Sequence, residues 1–274
     1  MMKSEMKKNS ARVLLAMGAL SMVLGVGVNS MSAADTPPAK ITDKLLGYWR
    51  FDESAVNSFV DSSGNCDASV PSEQYCQPML SMIPGKVGKA VAYDGTGNGW
   101  GDTIPVNSKA ISGKNDELCI AFWIQPLGWN TDKAVNEEPA RWGKNEFIRK
   151  GHSLMVSFNK DDNETRGEMV FRIHKGSWVE RSGKYCLPLK QWTFVVWNFK
   201  AKEGGQLFIN GKALGSVIGE PDDAITAVPE DLSIGRNTAN VALDEFAVWA
   251  RTLSTLEISD LYNEGKGKAI IPAP

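Results

Sequence analysis

The sequence of 274 residues has no surplus of positive charge. Its 30 lysines and arginines are balanced by 32 aspartates and glutamates, which gives a formal net charge of −2. Because basic and acidic residues are mixed along the chain, no basic face can displace counterions from a nucleic acid. DNA and RNA are therefore not expected as partners.

Histidine and recognisable catalytic motifs are scarce as well. The chain has only two histidines, His152 and His174, and each lies in a segment that predicts a surface or rim position rather than a base in a catalytic triad. No nucleophile elbow is present. Residues 95–99 are rich in glycine, but Pro105 follows and no helix begins there to bind phosphate. These absences argue against an enzyme.

No apolar run reaches the roughly 20 residues that a membrane-spanning helix needs. The longest run, residues 13–28, contains three glycines, follows four basic residues and precedes the small residues Ser32-Ala33-Ala34. This layout is typical of a secretory signal peptide, with a membrane anchor as the alternative. We predict that residues 1–34 are a signal peptide cleaved before Asp35, and that the protein is secreted, periplasmic or displayed on the cell surface.

Cysteine is sparse, and no two cysteines have the CxxC spacing of a zinc site. All four follow the predicted signal peptide, and an even number in an oxidising compartment predicts two disulfides. The spacing favours a Cys66–Cys76 disulfide within one loop, which leaves a Cys119–Cys186 disulfide between two β segments. A four-sulfur zinc site is the less favoured alternative.

Most of the remaining chain is typical of β-strands. In residues 118–125 the apolar side chains of Leu118, Ile120, Phe122 and Ile124 alternate with those of the residues between them. This period of two is typical of a β-strand that directs one apolar set inward. Seven or eight such segments, with no internal repeat, predict an all-β fold, a two-sheet antiparallel β-sandwich over residues 45–265. Residues 35–44 are assigned to a linker and 266–274 to a tail.

Two local signals are sharper than the strand pattern. Asn210-Gly211 lies between two apolar segments, and this pair suits the positive φ angles of a two-residue hairpin turn. Ser254 and Glu257 have the spacing of a capping box, which predicts one short C-terminal helix that stops at Gly265. The tryptophans within strand patterns are predicted to lie in the core: Trp49, Trp123, Trp192, Trp197 and Trp249.

The order of these segments resembles the laminin G-like jelly rolls of the concanavalin A-like lectin and glucanase superfamily. The resemblance depends on GYWRFDE (47–53), DSSGN (61–65), GKAVAYDG (88–95), IAFWIQ (120–125), QWTFVV (191–196), LFINGK (207–212), IGRN (234–237) and LDEFAVW (243–249). It implies a jelly-roll sandwich of the kind found in carbohydrate-binding modules, adhesive domains and accessory domains of secreted enzymes. It does not specify the ligand, because this fold hosts unrelated functions.

The chain departs from the family pattern between Pro126 and Phe147, where a connection of about twenty residues follows a strand. In this loop one or both of Trp129 and Trp142 are predicted to offer a flat apolar face to a sugar, with Asn130, Arg141 or Glu138 bonding its hydroxyls. The alternative is that both tryptophans cap the edge of the sandwich. Two more tryptophans next to glycines, Trp100 and Trp178, are rim candidates for the same ligand site.

Sandwich glucanases of the resembled superfamily carry Glu-x-Asp-x-x-Glu, which places an acid and a nucleophile on one face. This chain lacks the motif, and its nearest approach, Glu220-Pro221-Asp222, has Ile225 where the second glutamate belongs. The chain is therefore predicted to be noncatalytic.

Calcium is the one cofactor that the resemblance implies, because members of the family often bind it structurally. The candidate ligands are Asp52, Asp94 and Asp244. In the alternative interpretation these aspartates cap turns or pair with Arg50 and Arg236. No segment has the spacing of an EF-hand loop.

The sequence as a whole predicts a secreted, noncatalytic domain that binds a glycan or a glycosylated surface, or acts in adhesion. One alternative is a structural cell-envelope domain that contacts envelope proteins, which would require a larger exposed apolar patch. The other is an uncharacterised glycoside hydrolase, which would require two carboxylates converging in a cleft.

Overall fold

The computed structural model describes residues 40–66, 80–94, 104–106, 111, 115–128, 145–158, 167–235 and 240–272. The predicted signal peptide lies outside the described residues, as do the candidate residues Cys76, Trp100, Trp129, Asn130 and Trp142, and only the backbone of Asp94 is described. Residues Ala39–Pro274 form one compact unit. None of the helices among the described residues is long and apolar enough to cross a membrane.

The described residues form fifteen strands, one α-helix and one 3-10 turn, Asn263–Gly265. The helix, α1, spans Thr255–Tyr262. The strands are β1 Leu45–Trp49, β2 Leu80–Pro84, β3 Lys89–Asp94, β4 Ile104–Val106, β5 Glu117–Pro126, β6 Asn145–Lys150, β7 Leu154–Phe158, β8 Glu168–His174, β9 Trp178–Glu180, β10 Tyr185–Cys186, β11 Thr193–Lys200, β12 Gly204–Ile209, β13 Lys212–Ile218, β14 Leu232–Ile234 and β15 Asn240–Trp249.

These strands form two antiparallel sheets, as the sequence predicts. The eight-stranded sheet has the order β13-β12-β11-β5-β15-β3-β2, with β1 paired to β15. The seven-stranded sheet has the order β10-β8-β7-β6-β14-β4, with β9 paired to β8. The predicted all-β sandwich with one short C-terminal helix is therefore confirmed, although the strands are about twice as many as the sequence indicates.

The main core lies between the two sheets. In β5 the side chains of Ile120, Phe122 and Ile124 enter this core, while Ala121 and Trp123 on the same strand belong to a second apolar cluster on the other face. The period of two in the sequence is thus present in the structure, with both faces of the strand buried. A strand buried on both faces has an almost continuous apolar sequence, and this is the case for β5 and β15.

The second apolar cluster lies beneath α1 and both ends of the described domain. Ile258 and Leu261 of the helix pack on this face, together with Ile41 and Ile270. The indole Nε1 of Trp249 donates to the carbonyl of Ile41 at 2.7 Å. Residues 40–44 and 266–272, which the sequence analysis assigns to linker and tail, thus pack against the sandwich.

Both sharp local predictions are confirmed. Asn210 and Gly211 have φ angles of 50° and 79° and join β12 to β13, with Ile209 facing Lys212 across the turn. Ser254 accepts from the amide of Glu257, and the Glu257 carboxylate accepts from the amide of Ser254, which completes the capping box.

The predicted Cys119–Cys186 disulfide is wrong. Cys119 is a free, fully buried cysteine in the middle of the eight-stranded sheet, on the face that α1 covers. Cys186 is exposed in β10 at the edge of the other sheet. The sequence indicated two β segments but could not indicate that they belong to different sheets. The Cys66–Cys76 pairing stays a prediction, since Cys76 lies outside the described residues.

One charged side chain is buried at the end of the seven-stranded sheet. Lys150 ends β6, its residue is only 2% exposed, and its Nζ has no hydrogen-bond partner. Burial lowers the pKa of Lys150, and the charge of Glu230 partly offsets this effect. A buried ammonium without a partner costs folding free energy.

Replacement of Lys150 by methionine is therefore expected to stabilise the domain. Met is unbranched and only one atom shorter than Lys, and it removes the buried charge, so the free energy of unfolding at pH 7 should rise by about 1–3 kcal/mol. Chemical denaturation of K150M and wild type measures the change. The exposed Lys212 provides the matched control, because K212M should leave stability unchanged; destabilisation by K150M would contradict the interpretation.

Candidate functional site

The outer face of the seven-stranded sheet carries an aromatic and basic group of side chains. Trp178 in β9 faces His174 in β8 across the strand pair. His152, in the turn before β7, and Arg149, in β6, continue the row across the sheet. We call Arg149, His152, His174 and Trp178 the Trp178 cluster.

The members of the Trp178 cluster contact one another closely. The ring centroid of His174 lies 5.1 Å from that of Trp178, edge to face, and 5.2 Å from that of His152. The rings of His152 and Trp178 are nearly parallel, with centroids 6.5 Å apart. The Arg149 guanidinium lies over the indole, 5.1 Å from its centroid, in a cation–π contact.

The Trp178 cluster remains accessible from solvent. His152 is exposed, and Arg149, His174 and Trp178 are half-buried. An apolar aromatic surface beside imidazole and guanidinium donors is the combination that a polar, ring-shaped ligand needs. Of the five residues predicted to bind a ligand, Trp178 is the one that the structure describes.

A loop on the far side of the β8–β9 turn holds this hairpin in place. The Lys175 ammonium in the turn forms ion pairs with Glu220, Asp222 and Asp223. Arg181, just after β9, contacts the fully buried Asp223 through two of its nitrogens. Burial is the largest single effect and raises the pKa of Asp223, but the hydrogen bonds from Arg181, the Glu220 amide and Lys175 together outweigh it and hold the pKa below its usual value.

The same loop contains the nearest approach to the glucanase motif. Glu220, Asp222 and Asp223 bring carboxylate oxygens within 4.8 Å of one another, a group that could hold a metal ion. The Lys175 ammonium, however, pairs with all three, and Arg181 pairs with Glu220 and Asp223, so two positive charges already offset most of the negative charge of the group. The arrangement is that of a structural ion-pair network.

Two of the three calcium candidates hold one turn. Asp244 Oδ2 accepts from the amides of Lys86 and Val87 at 2.8 Å each, and Asp52 Oδ1 accepts from the amide of Lys89, also at 2.8 Å. Asp52 additionally pairs with Arg50. Both aspartates therefore fix the turn between β2 and β3, which agrees with the turn-capping alternative.

The second carboxylate oxygen of Asp244 is the one candidate atom among the described residues that could bind a cation. This Oδ1 is buried and has no hydrogen-bond partner. Asp52 fits less well, because Arg50 already supplies its positive charge. Asp244 therefore offers one oxygen without a partner, against the about 6–8 oxygen ligands that calcium takes, and the remaining described geometry explains the carboxylates without a metal ion.

Asp244 is followed by a second buried carboxyl group. A register shift in β15 accompanies a positive φ of 53° at Glu245, whose carboxylate accepts from the Tyr48 hydroxyl. The pKa of Asp244 is raised to about 8 and that of Glu245 to about 7, and burial is the largest cause of both shifts. Two adjacent acids are thus easier to bury protonated than ionised.

A family model confirms the resemblance noted in the sequence. The laminin G-like model described as concanavalin A-like lectin/glucanases superfamily matches residues 96–259, more than half of the chain. The chain belongs to this family. A search of curated protein sequences finds no significant match.

Solved structures with the same fold include bacterial toxin and enzyme domains. The binding domain of Paraclostridial Mosquitocidal Protein 1 has a TM-score of 0.60 at 17% identity, over 82% of this chain and 53% of that one. A structure of botulinum neurotoxin type C, a toxin whose cell entry depends on interaction with two ganglioside molecules, has a TM-score of 0.58 at 16% identity, over 82% of this chain and 52% of that one. This chain thus spans about half of each toxin chain.

Domain 4 of AbnA matches over nearly its whole length. This domain of an extracellular GH43 arabinanase from Geobacillus stearothermophilus, solved with arabinotriose, has a TM-score of 0.57 at 18% identity, over 79% of this chain and 97% of that one. At these identities the likeness establishes the fold.

Sequence reasoning missed three members of the Trp178 cluster. Arg149, His152 and His174 were not named as ligand candidates, because they lie on different strands that meet only in the folded sheet. One signal was available in the sequence. Both histidines of the chain lie close to glycines, Gly151 and Gly176, which is typical of exposed turns at the ends of strands.

The raised pKa values predict that stability falls as pH rises in calcium-free buffer. Between pH 4 and 8 the unfolded chain ionises Asp244 and Glu245 freely, while the folded chain resists, so the folded state binds more protons and loses stability with increasing pH. A fall in Tm of at least about 3 °C from pH 5 to pH 8.5 is expected, since 1 kcal/mol corresponds to about 2–4 °C at this size.

The variant D244N serves as the control. Its amide oxygen can still accept from Lys86 and Val87, but the side chain no longer titrates, so the fall in Tm should shrink. An unchanged pH profile in D244N would contradict the assignment. If calcium binds Asp244, adding it to wild type at pH 8.5 should raise Tm, and a chelator should reverse the rise.

Proposed function

We propose that the chain is a noncatalytic glycan-binding domain whose binding surface is the accessible β8–β9 end of the outer face of the seven-stranded sheet. The observation that carries this proposal is the Trp178 cluster, an accessible indole beside imidazole and guanidinium groups. On the opposite side of the sandwich the comparable group is Trp123, with Lys86 over its ring and Tyr262 stacked on it. Its indole is buried beneath α1 and the domain ends, whereas Trp178 is half-buried.

The comparisons support this proposal at the level of fold and family. The AbnA domain was solved with arabinotriose, and the type C neurotoxin interacts with gangliosides. Glycan binding thus occurs in proteins that share this sandwich fold. In this chain the Trp178 cluster is a chemically suitable surface for a glycan. Trp100, Trp129, Asn130 and Trp142 remain proposed contributors to the same ligand site.

Protein contact is the less supported alternative. Exposed large apolar side chains among the described residues are few and lie on separate elements, apart from the neighbours Val217 and Ile218 on β13. A protein-binding surface would need a larger continuous apolar patch. A hydrolase is disfavoured as well, because the carboxylates of Glu220 and Asp222 pair with Lys175.

Replacement of Trp178 by alanine tests the glycan proposal. W178A should weaken binding by about 1–3 kcal/mol, the effect of losing an aromatic anchor, while the Tm changes little. The measurement is a glycan array that includes arabinotriose and ganglioside oligosaccharides, followed by titration of the best ligand.

A core tryptophan provides the matched control. Trp197 is fully buried, stacks on Phe171 and donates to the carbonyl of Arg181, so W197A should cost about 3–5 kcal/mol of folding stability. W129A and W142A should behave like W178A. An array without any bound glycan, or a W178A variant that binds as wild type, would contradict the proposal.

We also propose that the domain is exported after cleavage before Asp35 and that Cys66 pairs with Cys76. Intact-mass analysis of the protein from the culture medium or periplasm should give a chain that begins at Asp35. Peptide mapping without reduction should give a peptide linked through Cys66 and Cys76, with Cys119 as a thiol. Retention of Met1, or Cys119 in a disulfide, would be the opposite result.

A further inference from the structure

The two histidines of the chain lie side by side in the folded protein. His152 and His174 are separated by 21 residues in sequence, and no other histidine occurs in the chain. Their elements meet because the amide of His174 donates to the carbonyl of Ser153 at 3.1 Å. Both rings lie at the surface, where His152 is exposed and His174 half-buried.

The spacing of the two rings suits a shared metal ion. Zn–N bonds are about 2.0–2.1 Å long, so two imidazoles bound to one tetrahedral ion have ring centroids roughly 5 Å apart. The centroids of His152 and His174 are 5.2 Å apart, and their planes differ by 75°. Since His152 is exposed, its ring can turn to direct a nitrogen at the ion without disturbing the core.

The surrounding charges leave room for a cation. Arg149 is the basic group of the cluster, and its guanidinium lies over the Trp178 indole. Lys175, next to His174, points to the carboxylates of the 220–223 loop. Glu230 supplies a negative charge close by, because its carboxylate lies within 2.6 Å of where a Cβ on Gly151 would be.

We propose that His152 and His174 form a surface site for a divalent transition-metal ion, with Zn²⁺ as the representative ion. Imidazole nitrogens are ligands that zinc, copper and nickel prefer. The two histidines supply two coordination positions, and water or an oxygen ligand takes the others. This site is separate from the calcium question, because hard calcium ions prefer oxygen ligands.

Calorimetric titration of the tag-free chain with zinc chloride tests the proposal, in the absence of any glycan. Wild type should bind one equivalent, and H152A and H174A should each lose affinity by more than roughly tenfold, since even outer-shell changes at metal sites cost 10–100-fold. H174Q, which keeps a side chain of similar size, provides a second variant if H174A is poorly folded.

Two further variants locate the ion. W178F should bind zinc as wild type does, because the indole is not a ligand, and its fluorescence should respond less to Cu²⁺ than that of wild type. D222N should also bind normally. The proposal is overturned if wild type binds no zinc, if both histidine variants bind it with wild-type affinity, or if D222N abolishes binding and thereby assigns the ion to the acidic loop.

Discussion

The burial of the eight-stranded sheet on both faces is the constraint on which the rest of the domain depends. One face closes the core against the second sheet, and the other is closed by α1 and by the ends of the described domain. An antiparallel sheet can leave one face in water, but this one does not. On the outer face of the seven-stranded sheet Met155, Ser157 and Arg172 are buried as well, so the accessible part of that face is the end of the β8–β9 hairpin, where the Trp178 cluster lies.

Covering the second face makes several otherwise unremarkable residues important. The capping box at Ser254 starts the helix at the point where Leu253 enters the apolar cluster, and Asn198 binds the backbone of Leu253 in both directions. Cys119 is buried in the same layer, and burial raises its pKa. Its thiol therefore contributes as a small apolar group in the packing of the helix.

Local signals in the sequence predicted local structure, and contacts between distant segments account for the errors. The Asn210-Gly211 turn and the capping box each depend on a few neighbouring residues, so they could be recognised directly. The very short strands β9 and β10 have no periodicity of their own, because pairing with β8 defines them. The wrong Cys119–Cys186 pairing and the unrecognised histidine pair have the same origin, since sheet membership decides both.

The position of the Trp178 cluster depends on a connection between the two sheets. Arg181 lies between β9 and β10 of the seven-stranded sheet, and its carbonyl accepts from the indole of Trp197 in the eight-stranded sheet. A Cβ at Gly205 in β12 would lie 1.9 Å from that same carbonyl, so only glycine allows the close approach. Because the side chain of Arg181 also binds the buried Asp223, the hairpin that carries Trp178 is fixed from the core side as well as from the loop side. A rigid support of this kind keeps the indole in place on the exposed face, which reduces the entropy lost when a ligand binds.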